Sequence, residues 1–542
     1  MAPRAPKQPT PVVTYVHGES RTNIPTNELR EFAASYETTP TVVHYPRDAA
    51  LDPQLVWKGK EEQNAQELAV EVVPIYIQEK IHPQALVEQL KKQDAQPQLD
   101  LFAHYDALTE LGEKVEFYQH DEKWQNRMIL GDSLVVMTSL AEKEGLKGKV
   151  QTIYIDPPYG IKFGSNWQVS TRKRDVKDGK AEDATRQPEQ VRAFRDTWQN
   201  GIHSYLGYLR DRLTVARELL TENGSVFVQI GNDNVHLVRS LLDEVFGYDN
   251  FVSQISYKTT QSAGATTLDS ACDFIIWYAK DLEAVKYREL LKVLQRGDKG
   301  ATRYNYAELK DTGERVDIDD AEAGDQENVR FFTDQGLTSR GDGSPNSMRP
   351  IWFQGKQFPV PAGHWRTSAD LIERRLVPAG RVIRTSNTIR FKKYFDDFGS
   401  LVLNNLWEDV GGGIQSRDDP KVYVVQTSNS IIQRCLLMTT DPGDLVLDPT
   451  CGSGTTAYVA EQWGRRWITV DTSRVALALA RTRLMAAKFP YYLLSDSPEG
   501  VKKETEVTGI KPPAYPTTGD IRKGFVYKRV PHITLKSIAT DK

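Results

Sequence analysis

The chain has 542 residues, enough for about two to four domains. It contains no run of about 20 apolar residues, which a membrane span needs, and its Pro-rich start lacks the apolar run of a secretory signal. Cys272, Cys435 and Cys451 lie far apart without metal-ligand spacing or a disulfide pattern, which predicts a reducing, cytoplasmic setting and no metal. The net charge of −4 excludes a uniformly basic surface, so any nucleic-acid-binding face must be local.

The N-terminal part of the chain precedes the first regular pattern. Residues 1–30 are rich in Pro and Thr, a composition typical of a disordered arm. Residues 31–125 mix short apolar runs with charged stretches and predict a mostly helical extension, with one helix that begins at Pro83. Neither segment contains residues to which we assign chemistry.

From residue 126 onward, strands and helices alternate. Residues 150–156, VQTIYID, form an apolar and β-branched run, which is typical of a strand buried on both faces. A helix that ends near Asn223-Gly224, a strand and a second helix follow up to 247, and 274–280 form another candidate strand. This alternation predicts an α/β fold with a mostly parallel sheet, and 126–280 form its first half.

Residues 281–404 break the alternation. An acidic stretch at 311–327, which we interpret as a solvated loop, precedes a basic stretch at 373–393, and together they predict an inserted region with its own fold. The alternation resumes over 405–490, which form the second half of the sheet. Residues 491–542 have Pro-rich and basic segments and form a C-terminal extension.

The second half of the sheet contains a Gly-rich segment with the sequence DLVLDPTCGSGTT. A strand is predicted to end at Asp448, and Gly452 and Gly454 in the following turn let backbone approach a ligand at the N-terminus of the next helix. The next strand ends at Asp471, where a carboxylate accepts hydrogen bonds from ribose hydroxyls. The combination favours a nucleoside-binding βαβ unit over a plain tight turn.

The tetrapeptide Asp156-Pro157-Pro158-Tyr159 directly follows the predicted buried strand. It is therefore expected at the carboxyl edge of the sheet, where α/β proteins bind ligands. Prolines have no N–H, so the carbonyls here act as acceptors without competing donors. A carboxylate and a fixed carbonyl suit an amine with two hydrogens, and the tyrosine ring suits a planar base. By itself the tetrapeptide fits a strand-ending turn equally well.

Asp132 follows another short apolar run and is expected near a neighbouring strand end. There it either accepts a hydrogen bond from an adenine amino group or caps a helix, and the isolated pattern favours the cap.

Two basic stretches are candidates for contacts with nucleic-acid phosphates. The stretch after the tetrapeptide favours nucleic acid because it adjoins the predicted pocket, whereas the stretch at 373–393 fits a solvated face equally well. The candidate nucleic-acid-binding residues are Arg172, Lys173, Arg174, Lys177, Lys180, Arg381, Arg384 and Arg390.

The order of these motifs resembles that of the β-class amino-methyltransferases of DNA, in which the catalytic motif precedes the cofactor motif and a target-recognition region separates them. Residues 209–252 and 406–410 resemble modification subunits of type III restriction systems. The whole chain also resembles a longer family of site-specific adenine DNA methyltransferases associated with phage defence. The similarity is strongest over 126–280 and 404–485.

The resemblance implies a Rossmann-like methyltransferase fold with a circularly permuted motif order and S-adenosylmethionine as cofactor. It places Asp132 at the adenine of the cofactor and Asp471 at the ribose. Thr450 stands where the family usually has Phe, and Thr427-Ser428-Asn429 replace a usual Lys-Pro. The other expected cofactor contacts come from Asp448, Pro449, Thr450, Gly452, Gly454 and Thr455.

The resemblance also implies methyl transfer to N6 of an adenine flipped out of the duplex. Asp156 and the Pro157 carbonyl would accept the two N6 hydrogens, with Pro158 and Tyr159 completing the catalytic motif and Tyr159 stacking on the base. Asp at the first position favours adenine, since cytosine-N4 enzymes usually carry Ser. The expected partners are double-stranded DNA, further subunits of a restriction or phage-defence system, and a second copy of the chain. The alternatives are cytosine-N4 methylation and a non-catalytic DNA-binding or cofactor-sensing subunit.

Overall fold

The structure is a computed structural model. The predicted arm at 1–30, the predicted helix from Pro83 and the stretch 158–200 lie outside the residues that it describes. The described residues are 42–45, 55–75, 120, 124–157, 201–259, 268, 270–295, 298, 301–319, 328–360, 363–397, 399–410, 427–510, 513 and 516–540.

The first of two compact units contains the predicted sheet. This sheet unit comprises Met1–Arg288, Asn405–Ser497 and Pro516–Phe525. Its described strands are β1 Val42–Tyr45, β2 Leu68–Glu71, β3 Arg127–Leu130, β4 Val150–Ile155, β5 Leu220–Ile230, β6 Phe251–Lys258, β7 Cys272–Ala279, β19 Leu406–Trp407, β20 Leu445–Asp448 and β21 Arg466–Asp471.

Eight of these strands form one sheet, in the order β19-β6-β7-β5-β4-β20-β21-β3. Neighbouring strands are parallel, except that β7 runs antiparallel to both β5 and β6. The predicted α/β fold with a mostly parallel sheet is therefore confirmed. Strands β20 and β21 come late in the chain yet lie between β4 and β3, so the two halves of the sequence build a single sheet. Every residue of β4 is buried, as its apolar sequence predicts.

The Asn223-Gly224 pair has a different role from the predicted helix stop. The helix already ends at Leu219, and residues 220–230 form β5. Between the pairs Val150/Leu220 and Thr152/Ser225 the register shifts, which marks a β-bulge. A Cβ on Gly224 would lie 2.9 Å from the Thr221 carbonyl oxygen, so the bulge requires glycine at this position.

The helices of the sheet unit cover the sheet with apolar faces. In the helix after β5, Val238, Leu241, Leu242, Val245 and Phe246 are buried at helical spacing. The helices are α1 Lys60–Ala65, α2 Ser133–Glu142, α3 Ile202–Leu219, α4 Val235–Phe246, α7 Asn429–Thr439, α8 Thr455–Gln462 and α9 Arg474–Ala486, with 3₁₀ turns at Tyr248–Asn250 and Ile521–Lys523.

The described part of the N-terminal extension packs on this unit through buried charges. Strands β1 and β2 pair antiparallel, an element that the sequence pattern did not predict. The Glu244 carboxylate of α4 lies 2.6 Å from Lys60 Nζ and 2.7 Å from an Arg210 guanidinium nitrogen, and all three side chains are at most 5% exposed. The paired charges satisfy one another, so the extension is joined to α3 and α4 without an isolated buried ion.

The second compact unit contains most of the predicted insertion. This inserted unit comprises Glu289–Asn404, Pro498–Tyr515 and Val526–Lys542. Its described strands are β8 Leu291–Val293, β9 Tyr306–Leu309, β10 Arg315–Val316, β11 Val329–Gly336, β12 Thr338–Ser339, β13 Ile351–Phe353, β14 Lys356–Phe358, β15 His364–Trp365, β16 Val382–Arg384, β17 Ile389–Tyr394 and β18 Ser400–Val402.

The central sheet of the inserted unit has the order β10-β9-β11-β17-β16. One core of this unit contains the buried side chains of Ile351, Phe358, Trp365, Ile372 and Phe391. Its helices are α5 Pro345–Met348, α6 Ala369–Leu371 with a π-helical continuation at Ile372–Leu376, α10 Pro498–Thr508 and α11 Leu535–Thr540, with a 3₁₀ turn at Phe395–Asp397.

The basic stretch of the inserted unit corrects one predicted DNA contact. Arg381 is 7% exposed, and its guanidinium lies 2.6 Å from the buried carboxylate of Asp397. This ion pair is internal, so Arg381 does not present its charge to a phosphate. Arg390 is half-exposed and pairs with Asp334 at 3.2 Å, whereas Arg384 on β16 is exposed. The sequence shows this run of positive charge, but it does not show that Asp397 and Asp334 form ion pairs with two of its arginines.

Candidate active site

The predicted catalytic and cofactor motifs lie at one edge of the sheet. Strands β4, β20, β21 and β3 are consecutive and parallel, so their carboxyl ends point to the same side. Asp156 directly follows β4, and Asp448 and Asp471 are the last residues of β20 and β21. Asp132 follows β3, which pairs with β21 through Leu130 and Asp471. The sequence places these residues far apart, and the strand order brings them together.

The Asp156 carboxyl lies among other acidic groups at this edge. Burial raises its pKa to about 7, and the like charges of Asp448 and Asp273 add to the rise. The Thr427 hydroxyl opposes the rise, because it donates a hydrogen bond to Asp156 Oδ2 at 3.1 Å. A carboxyl with a pKa near neutrality can serve both as a hydrogen-bond acceptor and as a proton acceptor.

A chain of buried polar side chains leads to the Asp156 carboxylate. The Tyr154 hydroxyl of β4 donates to Gln229 Oε1 of β5 at 2.5 Å, and Gln229 Nε2 donates to Thr427 Oγ1 at 3.1 Å. Both side chains are buried in the sheet. Sequence patterns did not single out Tyr154 or Gln229, because polar residues within two buried strands carry no signal of their shared contact.

Thr450 connects the catalytic and cofactor strands. Its Oγ1 accepts a hydrogen bond from the Asp156 backbone N–H at 2.8 Å and lies 3.2 Å from Asp448 Oδ1, to which it donates. The Thr450 N–H donates to the same Asp448 oxygen at 2.9 Å. The residue predicted as a departure from the family pattern therefore makes polar contacts with both motifs.

The Gly-rich turn is held by the carboxylate at the end of β21. Asp471 Oδ2 accepts from the Gly452 N–H at 2.9 Å, and Asp471 Oδ1 accepts from the Ser473 N–H at 2.7 Å. Burial raises the pKa of Asp471, like that of Asp448, to about 6. Both groups are therefore mostly ionised at neutral pH and can accept further hydrogen bonds.

Gly454 has a packing role in the same turn. It caps the N-terminus of α8 with a φ of 75°, in the left-handed region that favours glycine. A Cβ at this position would lie 2.7 Å from the Ala480 Cβ of α9. Thr455, the first residue of α8, is buried and accepts a hydrogen bond from Arg483 at 2.8 Å. Pro449 is also buried.

Asp132 combines the two roles considered for it. As the N-cap of α2, its Oδ1 accepts from the Leu134 N–H at 2.9 Å, while its Oδ2 lies 2.5 Å from an Arg212 guanidinium nitrogen. Arg212 also donates to Ser133 Oγ and lies over the Tyr208 ring, with its central carbon 3.4 Å from the ring centroid. Its side chain is 10% exposed. Arg212 is a site residue that the motifs did not reveal, since nothing in α3 marks its distant partner.

The remaining predicted site residues divide by whether the structure describes them. Pro157 is buried directly after Asp156. The positions outside the described residues are Pro158, Tyr159, Arg172, Lys173, Arg174, Lys177 and Lys180.

The described groups at this edge fit the predicted cofactor. A carboxylate has about four lone-pair sites, of which Asp132 uses two and Asp471 three within the protein, the third through the Thr472 backbone. Each can therefore accept hydrogen bonds from a nucleoside amino group or from ribose hydroxyls. Gly452 and Gly454 have positive φ values and no side chains in the turn between these strands. Within the described part of the chain, no cluster of His, Cys, Asp or Glu could hold a metal ion.

Known proteins share this sequence pattern. The chain is 26% identical over 369 residues to the type II methyltransferase M.EcaI of Enterobacter cloacae, covering 67% of this chain and 70% of that protein. It is 24% identical over 418 residues to the probable type III restriction-modification enzyme HindVI Mod subunit of Haemophilus influenzae, covering 66% of this chain and 50% of that subunit. Among solved structures, the cytosine-N4-specific PvuII DNA methyltransferase has a TM-score of 0.34 and 13% identity, covering 68% of this chain and 89% of that chain.

The family assignment follows from the sequence model of the N6 and N4 methyltransferases, described as DNA methylase, which matches residues 150–482. This match confirms the predicted resemblance, and the family uses the predicted cofactor, S-adenosylmethionine. In the described residues, no helix has the length and apolar character needed to cross a membrane. Because the match covers more than half of the chain, this protein belongs to the DNA methylase family of N6 and N4 amino-methyltransferases.

Proposed function

We propose that the chain is a site-specific DNA methyltransferase that transfers a methyl group from S-adenosylmethionine to N6 of adenine. The observation that carries the proposal is the position of Asp156, which begins an Asp-Pro-Pro-Tyr motif at the carboxyl end of β4. Thr450 joins Asp156 to Asp448 of the cofactor motif, because its hydroxyl accepts a hydrogen bond from the Asp156 N–H and donates one to the Asp448 carboxylate. Family membership supports DNA as the substrate.

In this proposal, the carboxylates at the ends of β21 and β3 bind the nucleoside part of the cofactor. Asp471 accepts from the ribose hydroxyls and Asp132 from the adenine amino group. The Gly452 turn, together with Asp448, holds the methionyl part. When bound, the cofactor supplies an electrophilic methyl group.

The Asp156 motif acts on the target base after the base has left the duplex. The Asp156 carboxylate and the Pro157 carbonyl accept the two hydrogens of N6, which localises the nitrogen lone pair for attack on the methyl group. Tyr159 stacks on the base. After transfer, N6 carries an additional proton, and Asp156, with a pKa near 7, is suited to accept it. The residues act mainly by positioning and electrostatics.

Adenine is proposed over cytosine because the first residue of the motif is Asp. The family also includes N4 methyltransferases, so cytosine is the second candidate base. The similarity to a probable type III restriction-modification enzyme Mod subunit supports a role in marking host DNA within a restriction or phage-defence system. Arg384, Arg390 and the basic residues between Arg172 and Lys180 are proposed phosphate contacts.

The first prediction concerns Asp156→Ala. Removing the carboxylate takes away one of the two N6 acceptors, so methyl transfer should fall by at least about 100-fold. DNA from cells expressing the full-length chain or the variant would be hydrolysed and its nucleosides measured by mass spectrometry. Asp249→Ala, which changes an exposed acid away from the sheet edge, is the matched control and should keep wild-type yield.

Three results would contradict parts of this proposal. Wild-type levels of N6-methyladenine with Asp156→Ala would remove Asp156 from the catalytic motif. N4-methylcytosine as the product would show that the base assignment is wrong. No methylated base from the wild-type chain, together with no calorimetric binding of S-adenosylmethionine with or without DNA, would favour a DNA-binding subunit without catalysis.

A further inference from the structure

Two positions at which the chain departs from the family pattern both contact Asp156. Thr450 stands where the family usually has Phe, and Thr427 lies in the stretch that replaces a usual Lys-Pro. They are 23 residues apart and belong to different loops, one before α7 and one after β20. Both use their hydroxyl groups to form a hydrogen bond with the same residue.

Thr427 contacts the side chain of Asp156. Its hydroxyl donates to Asp156 Oδ2 at 3.1 Å, and the same oxygen of Thr427 accepts from Gln229 Nε2 at 3.1 Å. Gln229 is in turn held by the Tyr154 hydroxyl. The single hydrogen of the Thr427 hydroxyl has two acceptors within reach, Asp156 Oδ2 at 3.1 Å and Gln229 Oε1 at 3.3 Å. Donation to Asp156 is favoured because its oxygen is nearer and because Gln229 Oε1 already accepts from the Tyr154 hydroxyl.

Thr450 contacts the backbone of Asp156. The Asp156 N–H donates to Thr450 Oγ1 at 2.8 Å just beyond the last residue of β4, where strand pairing ends. The Thr450 hydroxyl donates to Asp448 Oδ1. The backbone at the end of β4 is therefore joined to the carboxylate at the end of β20 by one side chain.

We propose that Thr427 and Thr450 are positioning residues that together orient Asp156 toward the substrate amine. The hydrogen bond from Thr427 to Oδ2 fixes the rotation of the carboxylate and favours Oδ1 as the acceptor of the N6 hydrogen, and Thr450 fixes the backbone of Asp156 relative to the cofactor motif. The proposal rests on the function of Asp156 proposed above. A Phe side chain at position 450 could make neither of the two polar contacts of Thr450 Oγ1. The two departures are linked because both threonines contact Asp156.

The charged and titratable groups around Asp156 set the sign of the pH effect. Asp448 on β20 and Asp273 on β7 raise the pKa of Asp156, the Tyr205 phenol of α3 also faces it, and the Thr427 hydrogen bond lowers it. Removing the Thr427 hydroxyl should therefore raise the pKa of Asp156 further. Since the ionised carboxylate is the acceptor, the acid limb of the rate profile should move to higher pH.

The second prediction tests the pair by Thr427→Val and Thr450→Val, with Thr427→Ser and Thr450→Ser as variants that keep the hydroxyl. Each Val variant should lower kcat by about tenfold, with less change in KM for DNA. Thr427→Val should also move the acid limb of the pH profile of kcat to higher pH. Both Ser variants keep the hydroxyl and should therefore keep a kcat close to that of the wild type. Methyl transfer to plasmid DNA from a methylation-deficient host measures these values in the full chain.

The matched control is Thr152→Val, which removes a buried hydroxyl from β4. Thr152 Oγ1 and Thr439 Oγ1 form a hydrogen bond at 2.8 Å. In the variant, the Thr439 hydroxyl still donates a hydrogen bond to the Cys435 carbonyl. This variant should keep the wild-type kcat and pH profile. Calorimetric titration with S-adenosylmethionine provides a readout separate from activity, and thermal melting with Thr427→Ala as a second variant identifies any failure to fold.

The outcomes distinguish this inference from the proposed function. If Asp156→Ala is inactive while both Val variants keep the wild-type kcat and pH profile, the inference is wrong and the proposed function stands. Ser variants as impaired as the Val variants would also overturn the inference, because the hydroxyl would not be the cause. An active Asp156→Ala would overturn the proposed function itself. A loss of cofactor affinity equal to the loss in kcat would assign Thr450 to cofactor binding instead of to positioning Asp156.

Discussion

The carboxylates at the sheet edge differ in their partners, and the partners decide what each carboxylate can do. Asp471 accepts hydrogen bonds from the backbone N–H groups of Gly452 and Ser473 and thereby holds the Gly452 turn in place. One oxygen of the Asp156 carboxyl accepts a hydrogen bond from the neutral Thr427 hydroxyl, and the pKa of Asp156 is near 7. Asp132 has a charged partner, Arg212. The guanidinium of Arg212 donates hydrogen bonds to Asp132, to the Ser133 hydroxyl and to the Tyr208 carbonyl.

The third prediction, at the residue scale, concerns Arg212→Ala. Without the guanidinium, Asp132 loses the partner that fixes its second oxygen, so the affinity for S-adenosylmethionine should fall by about tenfold in calorimetry. Arg212→Lys should recover it only in part, because a lysine cannot reproduce the planar fork. The control is Arg239→Ala, another helical arginine paired with an acid and stacked on a ring. Equal affinities for Arg212→Ala and wild type would show that Asp132 needs no such partner.

At the scale of elements, the cofactor turn depends on how closely α8 and α9 approach each other. Gly454 caps the N-terminus of α8 at the point where Ala480 of α9 leaves no space for a side chain. The sequence interpretation assigned this glycine to the approach of a ligand, and the helix contact is a second, independent reason for it. A change at Gly454 therefore affects both the fold and the turn.

The fourth prediction compares Gly454→Ala with Gly148→Ala. Both glycines have positive φ, but a Cβ at Gly148 would meet nothing within 4 Å. Gly148→Ala should cost about 1 kcal/mol of unfolding free energy from backbone strain, and Gly454→Ala about 2–4 kcal/mol because overlap with Ala480 is added. Denaturant unfolding measures both. If Ala480→Gly fails to recover part of the loss in Gly454→Ala, the overlap is not its cause.

At the scale of the whole molecule, a chain with a net charge of −4 requires a local surface to contact DNA. The basic stretch of the inserted unit is only partly available for this. Arg381 and Lys392 pair with Asp397 and Glu308, whereas Arg384 is exposed. A run of basic residues in a sequence is thus divided by the fold into internal ion pairs and free surface charge.

The fifth prediction uses this division. Arg384→Ala should weaken binding to DNA of any sequence and reduce the slope of log affinity against log salt by about 1, with unchanged thermal stability. Arg381→Ala should instead lower stability by about 3–5 kcal/mol, because it leaves the Asp397 carboxylate buried and unpaired. Fluorescence anisotropy across a salt series and thermal melting separate the two effects. An unchanged salt slope for Arg384→Ala would remove this residue from the DNA surface.

Local signals in the sequence predicted much of the sheet and the family. The apolar run before Asp156 became β4, and the strand ends at Asp448 and Asp471 lie where the turn and helix signals placed them. The Asn223-Gly224 pair predicts a helix stop but lies in a bulge of β5, because a bulge in a strand uses the same residue types. Patterns of this kind depend on neighbours in the chain, so they predict elements better than contacts between elements.

By itself, the sequence determined that this chain has a mostly parallel α/β sheet with the motifs of a DNA methylase in permuted order, since strand burial and strand-end residues are local properties. Only the tertiary structure decided which polar side chains surround Asp156. Tyr154, Gln229, Thr427 and Thr450 come from four separate segments. Tyr154 and Gln229 meet because β4 pairs with β5, and Thr450 reaches the Asp156 backbone because β20 pairs with the other side of β4. The contacts that tune a buried carboxylate are set by this strand order, which no local pattern encodes.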